Sequence, residues 1–180
     1  MHLMIDLETM GKRPNAPIIA IGAVLFDRTG IESEFYRIVN LQSSVDAGAV
    51  IDASTVLWWM GQSDAARGEF TDGGSLLTDA LMSFTAFIEA RAGIDTLQNL
   101  DGVWGNGAAF DNVITSEAYL NCGLEVPWPF WVDRCYRTVK NIYPAVVMDR
   151  QGELHNALAD ARSQAEHLIA INAAAADPIL

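Results

Sequence analysis

The chain has 180 residues, 51% of them hydrophobic and 19% charged, and a formal net charge of -12. This length and balance predict one domain, 1–180, able to bury a real core, and exclude a disordered chain. The charge argues against a non-specific nucleic-acid coat, which needs a basic surface, but leaves open an enzyme that grips a strand end through divalent cations.

No basic run precedes Asp6 and Glu8, and the longest apolar run, 16–26, is too short and strand-like to cross a bilayer, so cytoplasmic residence is expected. Cys122 and Cys135 have no metal-type spacing and read as buried reduced thiols.

A buried strand is predicted over residues 3–9, followed by a turn-rich connection containing Pro14, Asn15 and Pro17. A strand at 18–26, the turn Asp27-Arg28-Thr29-Gly30 and a strand at 31–39 complete an antiparallel meander. The period then becomes helical: a short helix at 44–50, and another ending near Met60 and capped by Asp52 or Ser54. Thr71 to Ser75 is a break too short to separate two cores. Residues 76–92 form an amphipathic helix with Leu77, Ala80, Leu81, Phe84, Phe87 and Ile88 on one face and Gly93 as its stop. A short strand at Val103-Trp104, a helix at 109–121, a strand at 130–132 and a helix at 134–142 follow. An irregular, mobile stretch over 144–153 precedes the last helix, 156–175. The expected fold is an α/β mixed five-stranded sheet, three antiparallel strands then parallel ones, flanked by helices.

Within the first strand, Asp6 and Glu8 point to one face and Leu7 to the other. Two neighbouring carboxylates in a core segment repel each other unless a cation lies between them, and a divalent metal is the obvious one. An Asp-x-Glu pair alone is a weak signal, so the case depends on further ligands. After Trp104, the turn Gly105-Asn106-Gly107 leads to Asp111, which opens the next helix and is aimed back over the strand end. Taken alone, Asp111 reads as favourable charge at a helix N-terminus. His155 and Asp160 lie five positions apart, about 140° on a helix after whole turns, and would not share a face. If His155 precedes the helix, with Asn156 as cap, both side chains converge on one cleft; taken alone, such a histidine reads as a solvent-facing or capping group.

Together the four acids and the histidine match the needs of phosphodiester hydrolysis. Paired cations acidify the attacking water and stabilise the leaving oxygen, while a histidine of unperturbed pKa near 6.5 accepts the proton. Asp6-Leu7-Glu8, Asn106 to Asp111 and His155 to Asp160 resemble, in order and spacing, the three motifs of the DnaQ-like DEDDh 3'-5' exonucleases, over nearly the whole chain. The resemblance implies a ribonuclease H-like fold with the first strand central, two Mg or Mn ions, and release of 5'-monophosphates. It also implies that Asp6, Glu8, Asp111 and Asp160 are metal ligands, His155 the base, and Glu8 a residue that orients the water. Asp6-Leu7-Glu8-Thr9-Met10-Gly11, Ile21-Gly22-Ala23 and Trp58-Trp59-Met60-Gly61-Gln62-Ser63 are similar to a smaller phage and bacterial group that includes the phage exonuclease A type, exonuclease VIII-like and mycobacterial exoribonuclease-like proteins. A bacterial or phage-infected host cytoplasm follows from that resemblance.

The expected substrate is single-stranded DNA or a 3' overhang. The alternatives are 3'-5' exoribonuclease action, including clearance of very short RNAs, and a non-catalytic nucleic-acid or protein binding module. The subgroup degrades both DNA and RNA, and the acidic surface favours distributive action on a few terminal nucleotides. Thr9, Met10, Asn106, Trp58 and Trp59 are candidate substrate contacts. Met10 reads as an apolar wedge against the terminal base or as ordinary packing. Trp58 and Trp59 diverge by about 100° on a helix, so one can be a base-stacking platform while the other lines a core or a possible homodimer contact. Lys12 with Arg13, and Arg134 with Arg137 and Lys140, are grouped basic residues that read as solvated surface charge.

Overall fold

The computed structural model describes residues 1–68, 73–92, 100–150, 152 and 155–180. Its centre is β1 (His2–Thr9), buried along almost its whole length. β2 (Ile18–Asp27) and β3 (Gly30–Ile38) fold back on it as the expected antiparallel meander, and the Asp27 carboxylate accepts the Thr29 N–H at 2.6 Å in the turn. β4 (Gly102–Gly105) and β5 (Asp133–Cys135) run parallel to β1, giving a five-stranded sheet in the order β3-β2-β1-β4-β5.

The last strand departs from the sequence reading. Phe130–Val132, expected as a strand, is a 3-10 turn, and its Phe130 and Trp131 are 80% and 67% exposed. An apolar run was the wrong signal, because β5 is an edge strand of only three residues and needs no such run to pair.

The helices are α1 (Leu41–Asp46), α2 (Ala53–Met60), α3 (Asp64–Gly68), α4 (Leu77–Ala92), α5 (Asp111–Asn121), α6 (Tyr136–Ile142) and α7 (Ala157–Ala174). α1 begins earlier than the expected 44–50 because the Asn40 side chain accepts the Ser43 N–H and caps it there. Asp52 caps α2 through the Ser54 N–H, as expected. The sequence reading lacked α3, a single turn that starts where Ser63 Oγ accepts the Ala66 N–H. Gly93, the expected stop of α4, and Thr71 and Asp72 of the expected break lie outside the described residues. Among the described residues no helix is long and apolar enough to cross a membrane. Both cysteines are free but half-buried, less enclosed than expected.

The pleat of β1 sorts its side chains between two cores. Leu3, Ile5 and Leu7 join Leu81, Phe84, Tyr119 and Trp128 beneath α4 and α5. Met4 faces the other way, with Val24, Phe26 and Trp104, against Tyr136 of α6 and Ala161, Ala165 and Leu168 of α7. Asp6 and Glu8 continue the Met4 row, so the same alternation that builds the core carries two carboxylates to the α7 side. The small side chains of Ala157, Ala161 and Ala165 let α7 lie close to the sheet. At Gly22, the β2 partner of Asp6, a Cβ would sit 2.1 Å from the Ala157 carbonyl carbon, so only glycine admits the helix N-terminus at this height.

Candidate active site

Two helix N-termini deliver the remaining acids to β1. Beside β1, Gly105 closes β4, and a Cβ there would come within 2.5 Å of Asn112 Oδ1 and 2.9 Å of Asp111 Cβ. Gly107, at a φ of 133° that favours glycine, turns the chain into α5. Asp111 is thereby the first residue of α5 and accepts the Leu7 N–H at 3.2 Å, beyond the point where β4 stops pairing with β1. Asn112 pins the same turn, donating to the Val103 carbonyl at 2.9 Å and to Asp133 Oδ1 at 2.8 Å.

On the other side, Asn156 caps α7, its side chain accepting the Ala159 N–H at 2.9 Å. His155 therefore precedes the helix, as the spacing required for convergence with Asp160. It takes a left-handed backbone conformation with φ 63°, uncommon for a residue with a side chain and a mark of a strained functional position. Ligand atoms of Glu8, His155 and Asp160 lie within 4.8 Å of one another, a spacing that fits a metal ion. Asp6 sits among Asp111, Glu8 and Asp160, and its Oδ1 accepts a 2.6 Å hydrogen bond from Gln164 Nε2. Gln164, absent from the sequence reading, lies one turn beyond Asp160, a spacing that could have found it.

The electrostatics fit a divalent cation. Burial, then the charges of Asp111, Glu8 and Asp160, hold the Asp6 carboxyl well above the usual range, against the opposing Gln164 bond. Burial pushes Asp111 up to about 7, although the Leu7 N–H resists it. Burial also raises Asp160, opposed by Arg150 and by His155. Arg150 Nη1 lies 2.7 Å from Asp160 Oδ1. Four carboxylates gathered in a buried cluster carry the kind of negative charge that divalent cations neutralise.

The cleft beside this cluster is lined by Glu8, Thr9, Lys12, Trp58, Trp59, Phe110, Arg137 and His155. The Trp pair divides as helical geometry demands. Trp59 is 3% exposed and donates to the Thr9 carbonyl at 3.0 Å, whereas Trp58 is 42% exposed, its ring centroid 4.9 Å from that of His155 and nearly perpendicular to it. Met10, read as a wedge or as packing, is buried with Ile19, Trp59 and Ala66, so packing is the role its surroundings give it. Thr9 donates to the Gly11 carbonyl at 2.8 Å, and Asn106 keeps a buried Oδ1 that accepts no hydrogen bond. Phe110 and Arg137 were not among the expected site residues. Phe110 precedes an acid that opens a helix, and Arg137 stood out only as one of a basic group.

The sheet order, with acids at the end of β1 and at two helix N-termini, is that of a ribonuclease H-like fold. Residues 1–172 match the 3'-5' exoribonuclease Rv2179c-like domain, and the chain belongs to that family. It is a 3'-5' exonuclease. Three solved structures share its fold. The nuclease domain of 3'hExo, a DEDDh family member bound to rAMP, is 13% identical, with a TM-score of 0.66 and coverage of 98% of this chain and 94% of that one. Exonuclease X in complex with 5' overhanging duplex DNA is 17% identical, with a TM-score of 0.59 over 97% of this chain and 93% of that one. A 3'-exonuclease recognising the 3' end of a histone mRNA stem-loop is 14% identical, with a TM-score of 0.61 over 94% and 80%. No curated protein is similar enough to count as a relative.

Proposed function

We propose that this protein removes nucleotides from single-stranded 3' ends as 5'-monophosphates. The sequence reading placed DNA first; the exoribonuclease description of the family favours RNA. The observation that carries the proposal is the convergence of Asp6, Glu8, Asp111, Asp160 and His155 at the C-terminal end of β1.

The four carboxylates would hold the divalent cations, Mg or Mn, and Glu8 would also orient the attacking water. When bound, such cations acidify that water and stabilise negative charge at the scissile phosphate. A ring nitrogen of His155 accepts the water's proton, and the Asp160 charge beside it stabilises the imidazolium that results. Trp58 offers a partly exposed indole face to the terminal base, and stacking of this kind is worth about 1–3 kcal/mol per base whatever its identity. Thr9 and Asn106 border the terminal nucleotide, and Trp59 supports Trp58 from the core.

The test uses matched DNA and RNA oligomers labelled at the 5' end, incubated with Mg, with Mn and with chelator, beside Asp6→Ala. The expected result is a metal-dependent ladder shortening from the 3' end, stronger on RNA and absent in the variant. No shortening of either oligomer by folded protein that binds Mn overturns the reading.

A further inference from the structure

We infer that Arg137 and Lys12 form a second anionic subsite, a seat for a phosphate of the strand other than the one being cut. The inference rests on the exonuclease reading, and it names how the strand is gripped. The chain carries 23 acidic and only 11 basic residues, so an approaching strand meets net repulsion and needs cations placed locally. Most basic side chains lie elsewhere or are engaged. Arg67, Arg150 and Arg162 are ion-paired, Lys140 lies over the Tyr136 ring, and Arg134 donates to the Trp131 and Asp133 carbonyls. Arg137 and Lys12 are the two that line the cleft with Glu8 and His155.

Both are exposed, and among the described residues neither has a carboxylate within ion-pair distance. Arg137 is also held in place. Its Nη2 donates to the Asn106 carbonyl at 2.5 Å, and its guanidinium lies against the Gly107 turn, 3.7 Å from where a Cβ would be. One of five N–H donors is spent on that carbonyl, leaving a fixed fork toward the cleft, the geometry that suits a phosphate. Lys12, from the loop after β1, donates to Ser54 Oγ at 3.3 Å. It also lines the adjoining groove with Arg13 and Asn15, so it stands where a strand leaving the cleft would pass. The scissile phosphate belongs to the acid cluster and its cations; Arg137 and Lys12 are left to a neighbouring phosphate.

The experiment compares Arg137→Gln, Lys12→Gln and Arg137→Lys with wild type on a dinucleotide, whose only phosphate is the scissile one, and on a pentanucleotide of the same sugar. For Arg137→Gln, kcat/KM on the pentanucleotide should fall about tenfold or more relative to the dinucleotide value, with a salt slope shallower by about one. Lys12→Gln should shift the ratio the same way by less, and Arg137→Lys should recover part of it. Equal losses on both substrates, an unchanged ratio, or an unchanged salt slope would overturn the subsite. Failure of wild type on both substrates would instead overturn the exonuclease reading on which it rests.

Discussion

α5 and α7 bring acids to β1 by the same device and then hold them differently. Each begins where a glycine leaves room, Gly105 beneath Asp111 and Gly22 beneath Ala157 and Leu158. Asp111 is then tied to the sheet through the Leu7 N–H, with Asn112 bonded to β4 and β5. Asp160 is paired instead with Arg150, from the segment that leads to His155. The fold thus supplies one fixed wall and one exchangeable wall, and His155 stands on the exchangeable one.

The sharpest division between the walls runs through two histidines. His155→Ala should lower kcat by about 10²–10⁴, the usual worth of a positioned general base, with little loss of stability because His155 is only half-buried and alanine keeps the same Cβ at the left-handed φ. His167 is buried on α7 and bridges the Tyr136 hydroxyl at 2.6 Å and the Val146 carbonyl at 2.8 Å. His167→Ala leaves the Val146 carbonyl without this partner and the Tyr136 hydroxyl with only its weak bond to Met148 Sδ, and should cost about 1–3 kcal/mol in urea unfolding, with a smaller effect on kcat at saturating metal. Exchange of these two outcomes would place the base elsewhere.

The glycines come next in magnitude. At Gly22 an added Cβ meets backbone, 2.1 Å from Ala157 C and 2.3 Å from Leu158 N, which moves only if α7 moves. At Gly105 the nearest atom is the Asn112 Oδ1 side chain at 2.5 Å, which yields only by loosening its bonds to the Val103 carbonyl and Asp133. Gly22→Ala should therefore destabilise by about 3 kcal/mol or more and Gly105→Ala by about 1–2, on the scale of overpacked cores. The reverse order would show that the Asn112 side chain holds its place more firmly than the α7 backbone.

Arg150 tests exchange directly. A cation entering at Asp160 competes with the guanidinium, so Arg150→Gln should tighten Mn binding severalfold by calorimetry and lower the melting temperature of the metal-free protein by a few degrees. Unchanged Mn affinity would show that Arg150 and the metal use different faces of Asp160.

How much of this was legible in the sequence follows from how local each signal is. The meander, α4 with its apolar face, the Asp52 and Asn156 caps and the order of the motifs were readable because periodicity and capping act over a few residues. Asp6 and Glu8 on one face needed only the pleat. Arg150 on Asp160, the Leu7 N–H on Asp111 and the close approach of Gly22 to Ala157 join residues far apart in the chain, and no local pattern encodes them. β5 was misplaced because the exposed Phe130 and Trp131 imitate a buried strand, while the true edge strand, Asp133-Arg134-Cys135, has no pattern of its own.

The smallest effect is the pH dependence of the metal-free protein, and its sign is fixed by the raised carboxyls. Between 3.8 and about 7 the folded chain keeps on Asp111 a proton that the unfolded chain has released, and Asp6 and Asp160 act in the same direction. More protons bound in the native state means stability that falls as pH rises through this window. His2 pulls the other way: burial and the N-terminal charge push it down to about 4 from 6.5, so its contribution rises with pH between those values. The Asp111 share is therefore read as a difference, wild type minus Asp111→Asn, in chelator at pH 5, 6, 7 and 8. Wild type should lose a few degrees of melting temperature relative to the variant from pH 5 to pH 8, and saturating Mn should remove that loss by compensating the ionised carboxylates. A difference that stays flat with pH would mean that Asp111 ionises as an ordinary carboxylate, and the fixed wall would then carry its charge without help from a metal.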